Sequence, residues 1–168
     1  MRRSFAVVSL IMCCCVIGAV SLTAQPTKYG DWWFSVRQDA MTDASRNTIY
    51  SMELRSGEEF VKQEVHLAVR CHDPAPIQVL IIGEFYFPTD PPIQYRFDSN
   101  PPSEVEVWKT ATRTAFAPDD ETYGFLEQAL AASRLRIRVT DPIDGLIFDY
   151  KFSLDGFKAA FQQLKCRQ

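Results

Sequence analysis

Histidine is almost missing from this sequence: His66 and His72 are the only two in 168 residues. An imidazole metal centre, or a nucleophile activated by a neighbouring imidazole, needs such residues at set spacings. No HxxxH, CxxC or GxSxG stands anywhere in the chain, and no calcium loop of DxDxDG form occurs. Basic charge is also in deficit, with 18 Lys and Arg against 21 Asp and Glu. That balance disfavours a nucleic-acid partner held by bulk charge. There is no internal repeat, low-complexity tract or linker. With 46% hydrophobic and 23% charged residues the composition is globular, and the length suits one domain.

Long apolar runs are confined to the beginning of the chain. Arg2 and Arg3 precede an almost unbroken apolar stretch over residues 5–20, and small residues follow. A run of about 16 residues is short for a membrane span of roughly 20. This is the pattern of a secretory signal peptide over residues 1–24, with cleavage after 22–24 or 19–21. An uncleaved anchor is the alternative. Lipidation on Cys13, Cys14 or Cys15 is a third reading, but Met12, not a small residue, precedes the first of them. Loss of residues 1–24 removes two arginines and no acid, so the formal charge moves from −3 to −5. It also leaves two cysteines, Cys71 and Cys166. In an exported chain two cysteines are most simply one disulfide, and a Cys/His metal site lacks the ligands. No metal and no cofactor is expected.

The remaining 25–168 reads as a single β-rich domain. Trp32 to Val36 is a first strand, residues 48–54 a second, and residues 64–71 a third whose alternation puts Val65, Leu67, Val69 and Cys71 on one face. On the other face lie His66, Ala68 and Arg70. Residues 76–87 form a strand buried on both faces, or two pieces kinked at Gly83. Short strands follow at 94–98, with Tyr95 and Phe97 inward, and at 105–108. Asp119, Asp120 and Glu121 suit the start of a helix running to about residue 132, with Tyr123, Leu126 and Leu130 as its apolar stripe. Residues 134–140 and 146–154 both alternate strictly around an Asp141-Pro142-Ile143-Asp144-Gly145 turn, the pattern of an antiparallel hairpin. Asp155 is placed to cap a terminal helix of about ten residues bearing Phe157, Ala160, Phe161 and Leu164. On an ideal helix Cys166 would sit opposite Phe157, so the helix has to loosen after Leu164 if Cys166 is to meet Cys71. The fold class is α+β: a curved antiparallel sheet or β-sandwich of about eight strands with two helices, the last one C-terminal.

No catalytic residue stands out. Asp39 with Asp43, and Asp119 with Asp120 and Glu121, pair carboxylates as glycoside chemistry requires. They lie in polar sequence, however, where no apolar pocket raises a pKa. The row Arg134, Arg136 and Arg138 is the best candidate binding surface. Three guanidiniums on one strand face stand about 7 Å apart in succession, able to grip an anionic glycan, a phosphate or a carboxylate-rich partner. The alternative is a solvated face paired with Asp149. Trp32 and Trp33 are the second candidate. They cannot share one side of a strand with Phe34, so at least one of the tryptophans faces outward, where it could anchor a partner, or lies under a loop; core filling plus a covering loop is the alternative.

Several segments together resemble the VasI-type proteins associated with bacterial type VI secretion and related small periplasmic proteins of unknown function. They are an early Trp before Asp39-Ala40-Met41-Thr42-Asp43, then Val69-Arg70-Cys71, Tyr95-Arg96-Phe97-Asp98, Trp108 and Thr114-Ala115-Phe116-Ala117-Pro118. Arg134 to Val139 and Phe152-Ser153-Leu154-Asp155-Gly156-Phe157 leading to Cys166 complete the set. Ala40 departs from it, since the family usually has proline in that loop. The resemblance implies an exported accessory protein without an assigned activity and suggests the same disulfide. The expected function is a non-enzymatic accessory or interaction protein of the bacterial cell envelope, periplasmic or secreted, whose partner is another envelope protein. A binder of cell-wall glycan, or an inhibitor of a wall hydrolase, is the alternative.

Overall fold

The computed structural model describes residues 25–42, 44–52, 65–72, 75–83, 87 and 89–166. The expected leader over residues 1–24, Asp43, the end of the second expected strand and the Asp73-Pro74 turn lie outside the described residues, as do the side chain of His72 and residues 84–86. Alternation and β-branching build two antiparallel sheets. The larger contains β1 (Thr27–Tyr29), β2 (Trp32–Gln38), β3 (Ser45–Met52), β4 (Val65–His72), β5 (Ala75–Gly83), β8 (Lys109–Ala111) and β9 (Thr114–Phe116), in the order β1-β2-β3-β4-β5-β9-β8. The smaller contains β6 (Pro92–Phe97), β7 (Glu106–Val107), β10 (Arg134–Thr140) and β11 (Ile147–Ser153), in the order β11-β10-β6-β7. The described residues therefore hold eleven strands. The excess over about eight comes from β1, β8 and β9, three-residue strands defined by pairing rather than by their own pattern.

The inward faces of both sheets feed one core. Val65, Leu67, Val69 and Cys71 point into it from β4, as the alternation of that strand requires. From the smaller sheet come Tyr95, Phe97, Leu135, Ile137, Val139, Tyr150 and Phe152. Burial of a Leu or Ile side chain stabilises by roughly 1.5–3 kcal/mol, so this alternation sets the register firmly. Ala68 departs from the expected outward face in one respect: it is fully buried although it lies on the opposite side of β4. It belongs to a transverse row of Trp33, Tyr50, Ala68, Leu80 and Phe116 across five strands. His66, expected on a solvated face, is half-buried with its ring edge-on to Tyr50.

Two helices close the sandwich. Helix α1 (Asp119–Ala131) carries three acids in its first turn, as the dipole favours. Its buried stripe is Thr122, Phe125, Leu126 and Ala129. Tyr123, expected in that stripe, is 67% exposed. Phe125 decides the rotation, since its ring lies 5.0 Å from Tyr95 and 5.1 Å from Phe97. The Thr122 hydroxyl donates to the Pro118 carbonyl, so it is buried at little cost.

Helix α2 (Phe157–Phe161) is about half its expected length. Its cap is not Asp155 but Gly156, at φ 81°, with no side-chain cap hydrogen bond. Only glycine takes that turn freely, and a Cβ there would run into the Tyr29 carbonyl. The Asp155 carbonyl accepts from the Asp31 amide at 3.0 Å. Tight bonds from the Gln163 amide to Ala160 and from the Leu164 amide to Phe161 end the helix early. This removes the conflict over helical phase. Cys166 joins Cys71 in a disulfide, with 5.3 Å between Cα atoms.

Candidate functional site: a cationic sheet face

Strands β6, β10 and β11 each bury alternate residues, so their remaining side chains share the outer face of the smaller sheet. The register places cations side by side on that face. Arg136 lies directly opposite Arg96 on β6 and opposite Lys151 on β11. With adjacent strands about 4.8 Å apart, the three residues fall in one transverse row about 10 Å long at the backbone. Among the described residues none of the three has an ion-pair partner. Like charges directly opposite in a sheet oppose folding.

The expected row Arg134, Arg136 and Arg138 is present on the exposed face of β10, but its members are not equivalent. Arg138 is neutralised. Its Nε donates to Asp149 Oδ1 at 2.7 Å and a terminal nitrogen donates to Oδ2 at 2.8 Å. That fork holds the Asp149 carboxyl below the ordinary carboxylate range and raises Arg138. The charges of Arg136 and Lys151 add to the depression of Asp149. Arg134 stands at the end of the strand opposite Ser153, its amide held by Asp98 at 2.9 Å.

Beside the row is a cleft of about 300 Å³ lined by Gln94, Arg96, Pro102, Arg136, Asp149 and Lys151 among others. Gln94 Nε2 donates to the Ser103 carbonyl at 2.9 Å, and the Ser103 amide donates to the Tyr95 carbonyl at 2.7 Å. These bonds pin the proline-rich loop against β6, so Pro102 forms a wall. The cleft thus gathers Arg96, Arg136 and Lys151 beside a wall of loop backbone and proline. Arg96 and Lys151 were missing from the sequence reading. Their signal was there, in the triplets Tyr95-Arg96-Phe97 and Tyr150-Lys151-Phe152, each a cation between inward aromatics.

The tryptophans are separated from this face. Trp32 is fully buried, donates its indole N–H to the Ser153 carbonyl at 2.9 Å and packs edge-on to Phe157. It is a core residue and offers nothing to a ligand. Trp33 is half-buried on the outer face of the larger sheet, with Lys28 5.5 Å from its ring centre. The structure brings neither tryptophan to the arginines.

Of the acidic candidates, Asp39 accepts bonds from the Met41 and Thr42 amides and the Thr42 hydroxyl, which hold its carboxyl below the usual range. This is a loop-shaping role. A pairing not read from sequence is Glu106 with Glu121. Burial and then the Glu121 charge push the Glu106 carboxyl up. Burial and these two acids also push the Tyr95 hydroxyl up to about 12. Among the described residues no group of three His, Cys, Asp or Glu side chains could hold a metal ion, and no helix is long and apolar enough to cross a membrane.

The molecule is thus a two-sheet β-sandwich, stapled at its C-terminus, with a cationic outer face. No family model matches the chain, and no curated protein matches it. Among solved structures it is similar in fold to invasion associated protein B from Bartonella henselae. The TM-score is 0.58 at 14% identity, over 83% of this chain and 95% of that one.

Proposed function

We propose that this chain is an exported, non-enzymatic interaction protein of the bacterial cell envelope that engages an anionic partner through the outer face of the smaller sheet. The observation that carries this reading is the row Arg96, Arg136 and Lys151, three cations side by side without ion pairs among the described residues. The leader sequence and the Cys71–Cys166 disulfide support export. The resemblance to VasI-type proteins supports an accessory role beside type VI secretion.

The test is capture from envelope extract with purified protein. Wild type is expected to retain a partner that the triple variant Arg96→Ser, Arg136→Ser, Lys151→Gln loses. Equal capture by both removes this face from the function.

A further inference from the structure

We infer that the cationic row is a binding site for a compact phosphate-bearing group, a phosphomonoester or diphosphate. The inference rests on the proposed role of this face and names its ligand class. The first argument is charge. The face already contains one carboxylate, Asp149, and both its oxygens are taken by Arg138; its charge also acts on Arg136 and Lys151, yet Arg96, Arg136 and Lys151 have no ion-pair partner among the described residues. One more carboxylate would satisfy one more guanidinium. A phosphomonoester carries about 1.5–2 negative charges and three acceptor oxygens, and a diphosphate carries more of both.

The second argument is donor geometry. Arg136 is the middle of the row, with Arg96 on one side and Lys151 on the other. Two guanidinium forks flanked by one ammonium suit tetrahedral oxyanions, which Arg binds bidentately and Lys binds as a point charge. A span of about 10 Å accommodates one or two phosphoryl groups.

The third is size. The adjoining cleft of about 300 Å³ fits a small headgroup. The chain without its leader carries a formal charge of −5, so a long polyanion would be repelled beyond the row. With screening over about 8 Å at physiological salt, a compact ligand senses mainly the three cations.

The experiment is calorimetric titration of the leaderless protein at pH 7 with pyrophosphate, with citrate as a carboxylate of similar charge. Flotation with phosphatidylcholine vesicles, with and without phosphatidic acid, runs alongside. Pyrophosphate is expected to bind and citrate to bind much more weakly. Arg136→Ser is expected to lower the pyrophosphate affinity about tenfold or more, while Lys109→Gln on the other sheet leaves it unchanged. Co-flotation only with phosphatidic acid vesicles, on top of pyrophosphate binding, would assign the phosphate to a lipid headgroup. Its absence would assign it to a soluble or glycan-borne group. Both of these results support the site. Citrate binding as tight as pyrophosphate, vesicle binding without pyrophosphate binding, no binding at all, or insensitivity to Arg136→Ser overturns the inference. If it is overturned while envelope capture still depends on the row, the ligand class is wrong and the proposed function stands. If capture is independent of the row as well, both are wrong.

Discussion

Serine in place of Cys166 should remove a cross-link and little else, because that sulfur is only partly buried while Cys71 is 2% exposed in the core. The bond joins residues 95 positions apart. For a closed loop near that length, chain-entropy reasoning gives roughly 4.7 kcal/mol of stabilisation. In a domain of this size that corresponds to a fall in Tm of roughly 10–20 °C. Differential scanning calorimetry of the oxidised wild type, the wild type in reductant and Cys166→Ser would read it directly, and the last two should coincide. Cys71→Ser should melt lower still. Its hydroxyl would be left among Val69, Val79 and their neighbours, at about 1–3 kcal/mol if unpartnered. The double variant should match Cys71→Ser. The C-terminal segment should not release as a whole, since Phe157 stays packed against Trp32 and Ala160 is fully buried. Hydrogen exchange in the reduced state should therefore rise after Phe161 and hold before it. Oxidised and reduced wild type melting within about 3 °C of each other would refute the reasoning, as would a double variant much weaker than Cys71→Ser.

Four further outcomes follow from burial, backbone and charge. Ile137→Asp should unfold the domain or lower its stability by about 3 kcal/mol or more, since Ile137 is 1% exposed. Arg136→Ser should be neutral or stabilising by up to about 1 kcal/mol, an effect that shrinks with added salt; chemical denaturation in low and high salt compares the two. Gly156→Ala should cost roughly 2–4 kcal/mol, from a left-handed φ together with collision at the Tyr29 carbonyl. Gly145→Ala, left-handed but in open space, should cost clearly less in the same denaturation assay. Glu106 is raised in the folded state, so its proton is bound more tightly there than in the unfolded chain. The stability it contributes is complete below its ordinary value of 4.5 and declines as pH rises through the higher folded value. Glu106→Gln should flatten that decline and raise Tm at neutral pH, as melting curves across the pH range would record.

What could be read in the sequence depended on whether a segment's neighbours leave a trace in its own pattern. The hairpin of β10 and β11 is legible because one face is buried along its whole length, which writes period two into both strands. Strand β9 has only Thr114, Ala115 and Phe116, and it exists because β5 offers an edge to pair with. No propensity within three residues encodes that. Of the expected stripe of α1, Leu126 is buried and Leu130 packs against the core, but large, apolar Tyr123 faces outward and the docked face uses Thr122 and Ala129 instead. The candidate site shows the same division. The row along β10 is visible in a single strand, but Arg136 meets Arg96 and Lys151 only through register across three strands, which connects positions 96, 136 and 151. One strand's alternation carries no information about which residue of another lies opposite.

The Trp32 indole is held by the Ser153 carbonyl and the Phe157 ring, partners more than 120 positions further along. A ribosome delivers the tryptophan first and its cover last. Until almost the whole domain has been synthesised, the largest buried side chain of β2 has nowhere to go, and the β1–β2 turn lacks the Asp155 carbonyl that receives the Asp31 amide. The nascent chain therefore holds Trp32 without its full cover until Ser153 and then Phe157 have been added. Such distant contacts make for slow folding. A nonsense codon just before Gly156 would leave the Trp32 indole without the Phe157 ring and the core without Ala160, exposing apolar surface of the kind that aggregates.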